Sequence, residues 1–130
     1  MSEPIRALVV DDEQIIRDIM ADILGCEGGT VETTAVGTCE DALRLVGEQD
    51  FGVIFVDVCM GDGDGVELLR QIRQVRPDAR IYMITGYDVG PQLQEALAEG
   101  AAGAIYKPFK VGEILAAIHG MYPEPTPLSE

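Results

Sequence analysis

Histidine occurs once in this chain, at His119, and cysteine three times, at Cys26, Cys39 and Cys59, with no CxxC spacing. That scarcity excludes in practice a metal centre built from thiolates and imidazole. An odd, scattered set of thiols suits a reducing compartment and predicts a cytoplasmic setting. Basic residues are also scarce: 9 Lys and Arg face 23 Asp and Glu, a formal net charge of −14. Nucleic acid is therefore a poor direct partner, because phosphate binding needs a cationic footprint. No apolar run approaches the roughly 20 residues of a membrane span. The opening Met1-Ser2-Glu3-Pro4-Ile5-Arg6 lacks the layout of a signal peptide, so no membrane contact is expected.

What remains is a chain of 130 residues, 47% apolar, enough for one domain that buries about two-thirds of its unfolded surface. Apolar runs alternate with stretches of helical period. Strands are predicted at Ile5–Val10, at 31–36, around Asp57, at 80–84 and at 103–106. Between them, Ile15, Ile16, Ile19, Met20, Ile23 and Leu24 recur at helical spacing. Ala42, Leu43 and Val46 mark a second helix, entered through Thr38 with Asp41 three residues on. Val66, Leu68, Leu69 and Ile72 mark a third, ending before Pro77. Leu93, Ala96 and Leu97 mark a fourth that closes at Gly100, and Ile114, Leu115 and Ile118 a fifth. Strands alternating with helices of this length mean a parallel sheet covered on both faces. The proline-rich stretch from Tyr122 to Pro127 cannot continue a helix, which predicts a folded domain over 1–121 and a tail or linker over 122–130.

The chain is organised around Val53-Ile54-Phe55-Val56-Asp57, a doubly buried strand that ends in a lone carboxylate and runs into Gly61-Asp62-Gly63-Asp64-Gly65. In open α/β sheets ligands bind at the carboxyl ends of the strands. The residues expected there are Asp11 and Asp12, Asp57, Thr85 and Lys107. Asp11, Asp12 and Glu13 also suit the N-terminus of the first helix as caps. Converging carboxylates repel, and a hard divalent cation, Mg2+ above all, is the economical way to hold them. With an ammonium and a hydroxyl beside them, the set is built to receive a phosphoryl group. The Asp-Gly-Asp-Gly run fails as a calcium loop. Met60 stands where that loop needs its first acid, and Gln71 where it needs a glutamate.

Leu8-Val9-Val10-Asp11-Asp12-Glu13, Asp57 with Met60 three residues on, Thr85-Gly86 and Lys107-Pro108-Phe109, in this order over about residues 5–120, resemble the receiver domain of two-component response regulators. The resemblance implies a flavodoxin-like, doubly wound (βα)5 fold with strand order 2-1-3-4-5. It implies that Asp57 accepts a phosphoryl group from a sensor histidine kinase or phosphotransfer protein. Asp12, Asp57 and the backbone carbonyl of Cys59 would ligate Mg2+, with Asp11 acting largely through water. Lys107, Thr85 and the backbone N–H groups of Val58 and Gly86 would hold phosphate oxygens, and the Lys107–Pro108 bond would be cis. The state would be read from the surface around the fourth helix and fifth strand, by a downstream protein or an output domain outside this sequence. A phosphorylation-dependent homodimer is the self-association that the resemblance leaves room for.

Four positions depart from the family pattern. Gly61 stands where proline is common and predicts a looser loop behind Asp57. Cys59 and Tyr87 stand where residues tune attack of water on the acyl phosphate. Neither is an acid or amide that positions water well, so slow self-dephosphorylation is expected. Ala104 stands where an aromatic switch residue is usual, and Tyr106, of the same strand parity, is the substitute. Two rival functions remain. A phosphatase of the haloacid dehalogenase type needs a second aspartate two residues after the nucleophile, where this chain has Cys59. An interaction module that works without phosphorylation is the alternative that the missing aromatic keeps open.

Overall fold

The computed structural model describes residues 4–26, 29–86 and 90–119. Five parallel strands, β1 (Ile5–Val10), β2 (Val31–Val36), β3 (Val53–Asp57), β4 (Ile81–Thr85) and β5 (Gly103–Tyr106), form one sheet in the order β2-β1-β3-β4-β5. The helices are α1 (Gln14–Gly25), α2 (Cys39–Glu48), α3 (Gly65–Val75), α4 (Gly90–Ala98) and α5 (Val111–Ile118). This is the flavodoxin-like fold with the order 2-1-3-4-5.

Alternation along the buried strands divides the core in two. Leu8, Val10, Ile54, Val56, Ile81 and Met83 face α2, α3 and α4, packing on Ala42, Val46, Leu69, Ile72, Leu93 and Ala96. Ala7, Val9, Phe55, Tyr82, Ile84 and Ile105 face the other way, onto Met20, Ile23 and Leu24 of α1 and Ile114, Ala117 and Ile118 of α5. The Phe55 and Tyr82 rings stack with centroids 5.9 Å apart. The edge strand β2 is only partly buried, as its alternating sequence suggests.

Helix ends follow local chemistry. The Thr38 hydroxyl accepts from the Asp41 N–H at 3.1 Å to start α2. The Asp64 carboxylate accepts from the Val66 N–H at 2.8 Å to start α3. Past the end of α4, Gly100 takes φ +106°, the left-handed conformation that only glycine adopts freely.

Three expectations are corrected. Glu13 occupies the N-cap position of α1 but its side chain makes no capping bond. Instead Asp11 Oδ1 accepts the Glu13 N–H at 2.9 Å, fixing the loop and leaving the other acids to the sheet edge. Ile15 and Ile19, counted with the inner stripe of α1, are 65% and 39% exposed. At about 100° per residue Ile15 sits about 140° round the helix from Met20, while Ile19 flanks the buried face and lines a cavity at the sheet edge. Gly61 does not open a loose loop: Cys59–Met60 and Gly63–Asp64 pair as a short antiparallel ladder that turns around it.

Candidate functional site

β1, β3, β4 and β5 deliver five reactive side chains to the same sheet edge, two of them from β1. Asp57 closes β3, and Asp11 and Asp12 follow β1 directly. Asp11, Asp57 and Thr85 are all buried. Gly65 is what lets α3 begin so close behind β3. Its N–H donates to the Val58 carbonyl at 3.0 Å. A Cβ there would lie 2.1 Å from the Asp57 carbonyl oxygen, which no side chain tolerates. The Lys107 N–H donates to the Thr85 carbonyl at 2.8 Å, so β5 holds Lys107 beside Thr85. The Lys107–Pro108 peptide is cis.

A cavity of about 730 Å3 opens at this edge, lined by Asp12, Glu13, Asp57, Cys59, Thr85, Gly86 and Lys107, with Ile16, Ile19, Pro108 and Phe109 as its apolar side. Carboxylate oxygens of Asp11, Asp12 and Asp57 lie within 4.8 Å of one another. Lys107 Nζ stands 3.2 Å from Asp11 Oδ2, 3.2 Å from Glu13 Oε1 and 3.6 Å from Asp57 Oδ2.

The electrostatics follow from that crowding. Burial, and then the neighbouring Asp11 charge, push the Asp57 carboxyl up from 3.8 to about 6, against the Cys59 N–H and Lys107, which pull it down. Burial disfavours the Lys107 ammonium, but Asp11, Asp57 and Glu13 outweigh it and hold this lysine above its ordinary value. Asp11 Oδ2 is buried and accepts no hydrogen bond. A buried carboxylate oxygen with only the Lys107 ammonium facing it, at 3.2 Å, next to two further carboxylates, is a donor set that suits a hard divalent cation.

One of the expected backbone donors stands differently from the sequence reading. The Val58 N–H donates to the Ile84 carbonyl at 2.9 Å, continuing the sheet. It is the Cys59 N–H that faces the carboxylate, donating to Asp57 Oδ1 at 3.1 Å. Ala104 packs partly buried against the α3–α4 side of the core, while Tyr106, Cα partner of Thr85 across β4 and β5, is 55% exposed. Cys59 is exposed at the cavity. Tyr87 and the stretch 120–130 lie outside the described residues.

Two residues, one at the site and one in the loop behind it, have contacts that the sequence did not signal. Glu13 reads as a cap but binds Lys107. Asp62 reads as a loop acid, yet its two carboxylate oxygens accept from the Cys39 N–H at 3.1 and 3.0 Å, tying the loop after Asp57 to the N-terminus of α2. The Cys39 thiol beneath it is pushed up to about 11 by burial and then by Asp62, so it stays protonated.

Residues 7–119 match the family described as response regulator receiver domain. The chain is 32% identical over 124 residues to the response regulator MprA of Mycolicibacterium vanbaalenii, covering 95% of this chain and 53% of that protein. It is 28% identical over 114 residues to the DNA-binding transcriptional activator DevR/DosR of Mycobacterium tuberculosis, covering 88% and 52%. The chain thus spans about half the length of these relatives. Among solved structures, a CheY-like receiver domain protein from Methanospirillum hungatei superposes with a TM-score of 0.82 at 31% identity, over 91% of this chain and 93% of that one. A response regulator from Burkholderia pseudomallei, solved with a phosphorylated aspartic acid, a calcium ion and citrate, gives 0.79 at 32% identity, over 88% and 66%.

Proposed function

The chain belongs to the response regulator receiver domain family, and from that premise we propose that it is a signalling switch phosphorylated on Asp57. One observation carries the assignment. A buried carboxylate opens onto a cavity with two more carboxylates within 4.8 Å and an ammonium at 3.6 Å. Its counterpart in kind, a phosphorylated aspartic acid, occurs in the Burkholderia relative.

In the transfer, an Asp57 carboxylate oxygen bonds to phosphorus as the bond from phosphorus to the donor imidazole nitrogen breaks. The bonding pair leaves with that nitrogen. Lys107 and the Thr85 hydroxyl would hold the phosphoryl oxygens, with the N–H groups of Cys59 and Gly86. Asp11, Asp12, Asp57 and the Cys59 carbonyl would hold Mg2+, which supplies positive charge against the oxygens of the incoming group. The donor is a sensor histidine kinase or phosphotransfer protein, and the setting is cytoplasmic. Among the described residues no helix is long and apolar enough to cross a membrane.

Phosphorylation replaces one carboxylate with a group of charge about −1.5 to −2 and three acceptor oxygens. Thr85 and Lys107 follow it inward, and α4 with β5 changes its outer surface for a downstream protein, an output domain or a second copy. Tyr106, in register with Thr85, takes the aromatic role left vacant at Ala104. A function without phosphorylation has that one vacancy in its favour.

The test is intact-mass analysis after incubation with Mg2+ and acetyl phosphate. A labile gain of one phosphoryl group is expected, absent in Asp57→Asn and absent without Mg2+. No gain with acetyl phosphate or with a phosphohistidine donor refutes the switch.

A further inference from the structure

Lys107 has three acidic neighbours, and one of them stands apart from the carboxylate cluster. Of the three, Glu13 alone accepts a hydrogen bond from Nζ, at 3.2 Å. Asp11 Oδ2 stands at the same 3.2 Å as a buried ion-pair partner without hydrogen-bond geometry, and Asp57 Oδ2 lies at 3.6 Å. The Glu13 side chain is 60% exposed at the cavity rim, whereas those of Asp11 and Asp57 are 0% and 9% exposed. Its backbone is pinned: the N–H donates to Asp11 Oδ1, and the carbonyl accepts from the Ile16 and Arg17 N–H groups. The main chain is therefore fixed while the carboxylate can swing into water.

We propose, resting on the phosphoacceptor reading of Asp57, that Glu13 is a positioning residue that holds Lys107 aside from Asp57 until a phosphoryl group claims it. One ammonium is shared among acceptors, so what Glu13 holds is withheld from the oxygens of the incoming group. A dianionic phosphoryl group inside the cavity outcompetes a single carboxylate on the wet rim. The contact must break for Lys107 to engage, so Glu13 slows phosphorylation and favours the unmodified state.

The experiment uses the whole chain with Mg2+ and acetyl phosphate as donor. An Asp57 oxygen bonds to phosphorus, the bond from phosphorus to the acetate oxygen breaks, and acetate leaves with the pair. Glu13→Gln keeps the side-chain length and the backbone bonds but removes the ion pair. Its initial phosphorylation rate is expected to rise about two- to five-fold, the range of a half-exposed ion pair. Asp18→Asn removes the same charge from α1, of which Glu13 is the N-cap, without touching Lys107, and should leave the rate unchanged. In a Lys107→Ala background Glu13→Gln should have no effect. Where that background reacts too slowly to time, the Asp18→Asn comparison decides.

Equal rates for wild type and Glu13→Gln overturn the inference. So does an equal rise in Asp18→Asn, or a rise that persists without Lys107, since plain charge reduction then explains it. If wild type takes up no phosphoryl group, the phosphoacceptor reading itself fails and this inference falls with it.

Discussion

Asp57 should cost the metal-free protein stability at neutral pH, and removing its charge should return it. Its carboxyl lies at about 6 in the fold against 3.8 ordinarily, because burial and Asp11 both oppose ionisation. The native state therefore binds a proton more tightly than the unfolded chain. Below about pH 3.8 the group is protonated in both states and costs nothing. As pH rises toward 6 the unfolded chain ionises first, and stability falls until both states are charged. The full displacement corresponds to about 3 kcal/mol, which water in the open cavity reduces to about 1–2 kcal/mol. Asp57→Asn keeps an oxygen for the Cys59 N–H and leaves Lys107 paired with Asp11 and Glu13. In urea melts with chelator it should be about 1–2 kcal/mol more stable than wild type at pH 7.5, with the gap closing by pH 4. Added Mg2+ should stabilise wild type and leave the variant nearly unmoved. If Lys107 already compensates the Asp57 charge in full, the variant is no more stable than wild type at pH 7.5, or whatever gap exists does not shrink in acid. Either result refutes the electrostatic account.

Gly65→Ala should cost about 3 kcal/mol or abolish folding, since the new Cβ meets the Asp57 carbonyl at 2.1 Å, and circular dichroism with urea titration will show it. Asp64→Ala removes the cap of α3 and should cost about 1 kcal/mol in the same titration. Self-dephosphorylation of the purified phospho-form should be slow, because Cys59 offers no group that orients water. Cys59→Glu should shorten its lifetime by about ten-fold or more, timed by loss of the phosphoryl mass. A wild-type half-life of seconds refutes that reasoning.

The sheet and its carboxyl edge were legible because both are written locally. Runs such as Val53–Val56 and Ile81–Ile84 are too apolar for any place but the middle of a sheet. Asp57, Thr85 and Lys107 then fall at strand ends by counting alone. Thr38 with Asp41 declared its helix for the same reason, through a contact three residues long. The failures are contacts that close over distance. Glu13 and Lys107 are 94 residues apart, and Asp62 and Cys39 are 23 apart. Each acid has an adequate local reading, as a cap or a loop residue, so nothing in the neighbouring sequence signals the second partner. Ile15 and Ile19 misled differently: apolar type matched the helical period, but the helix meets the core along a narrower stripe than its isoleucines cover.

Gly61 joins these two kinds of information. Taken alone, glycine in place of proline means backbone freedom, hence the expectation of a loose loop. The structure places this glycine against Asp12, where an added Cβ would lie 2.7 Å from Oδ2. The loop around it is held by the ladder of Cys59–Met60 with Gly63–Asp64, by Asp62 on the N-terminus of α2, and by Gly65 on Val58. With its ends fixed, the loop gains little freedom from Gly61. What the missing side chain supplies is room for the Asp12 carboxylate, the one exposed member of the acidic cluster. A substitution that reads as flexibility in one dimension acts as clearance in three, at the residue that the bound cation would have to reach.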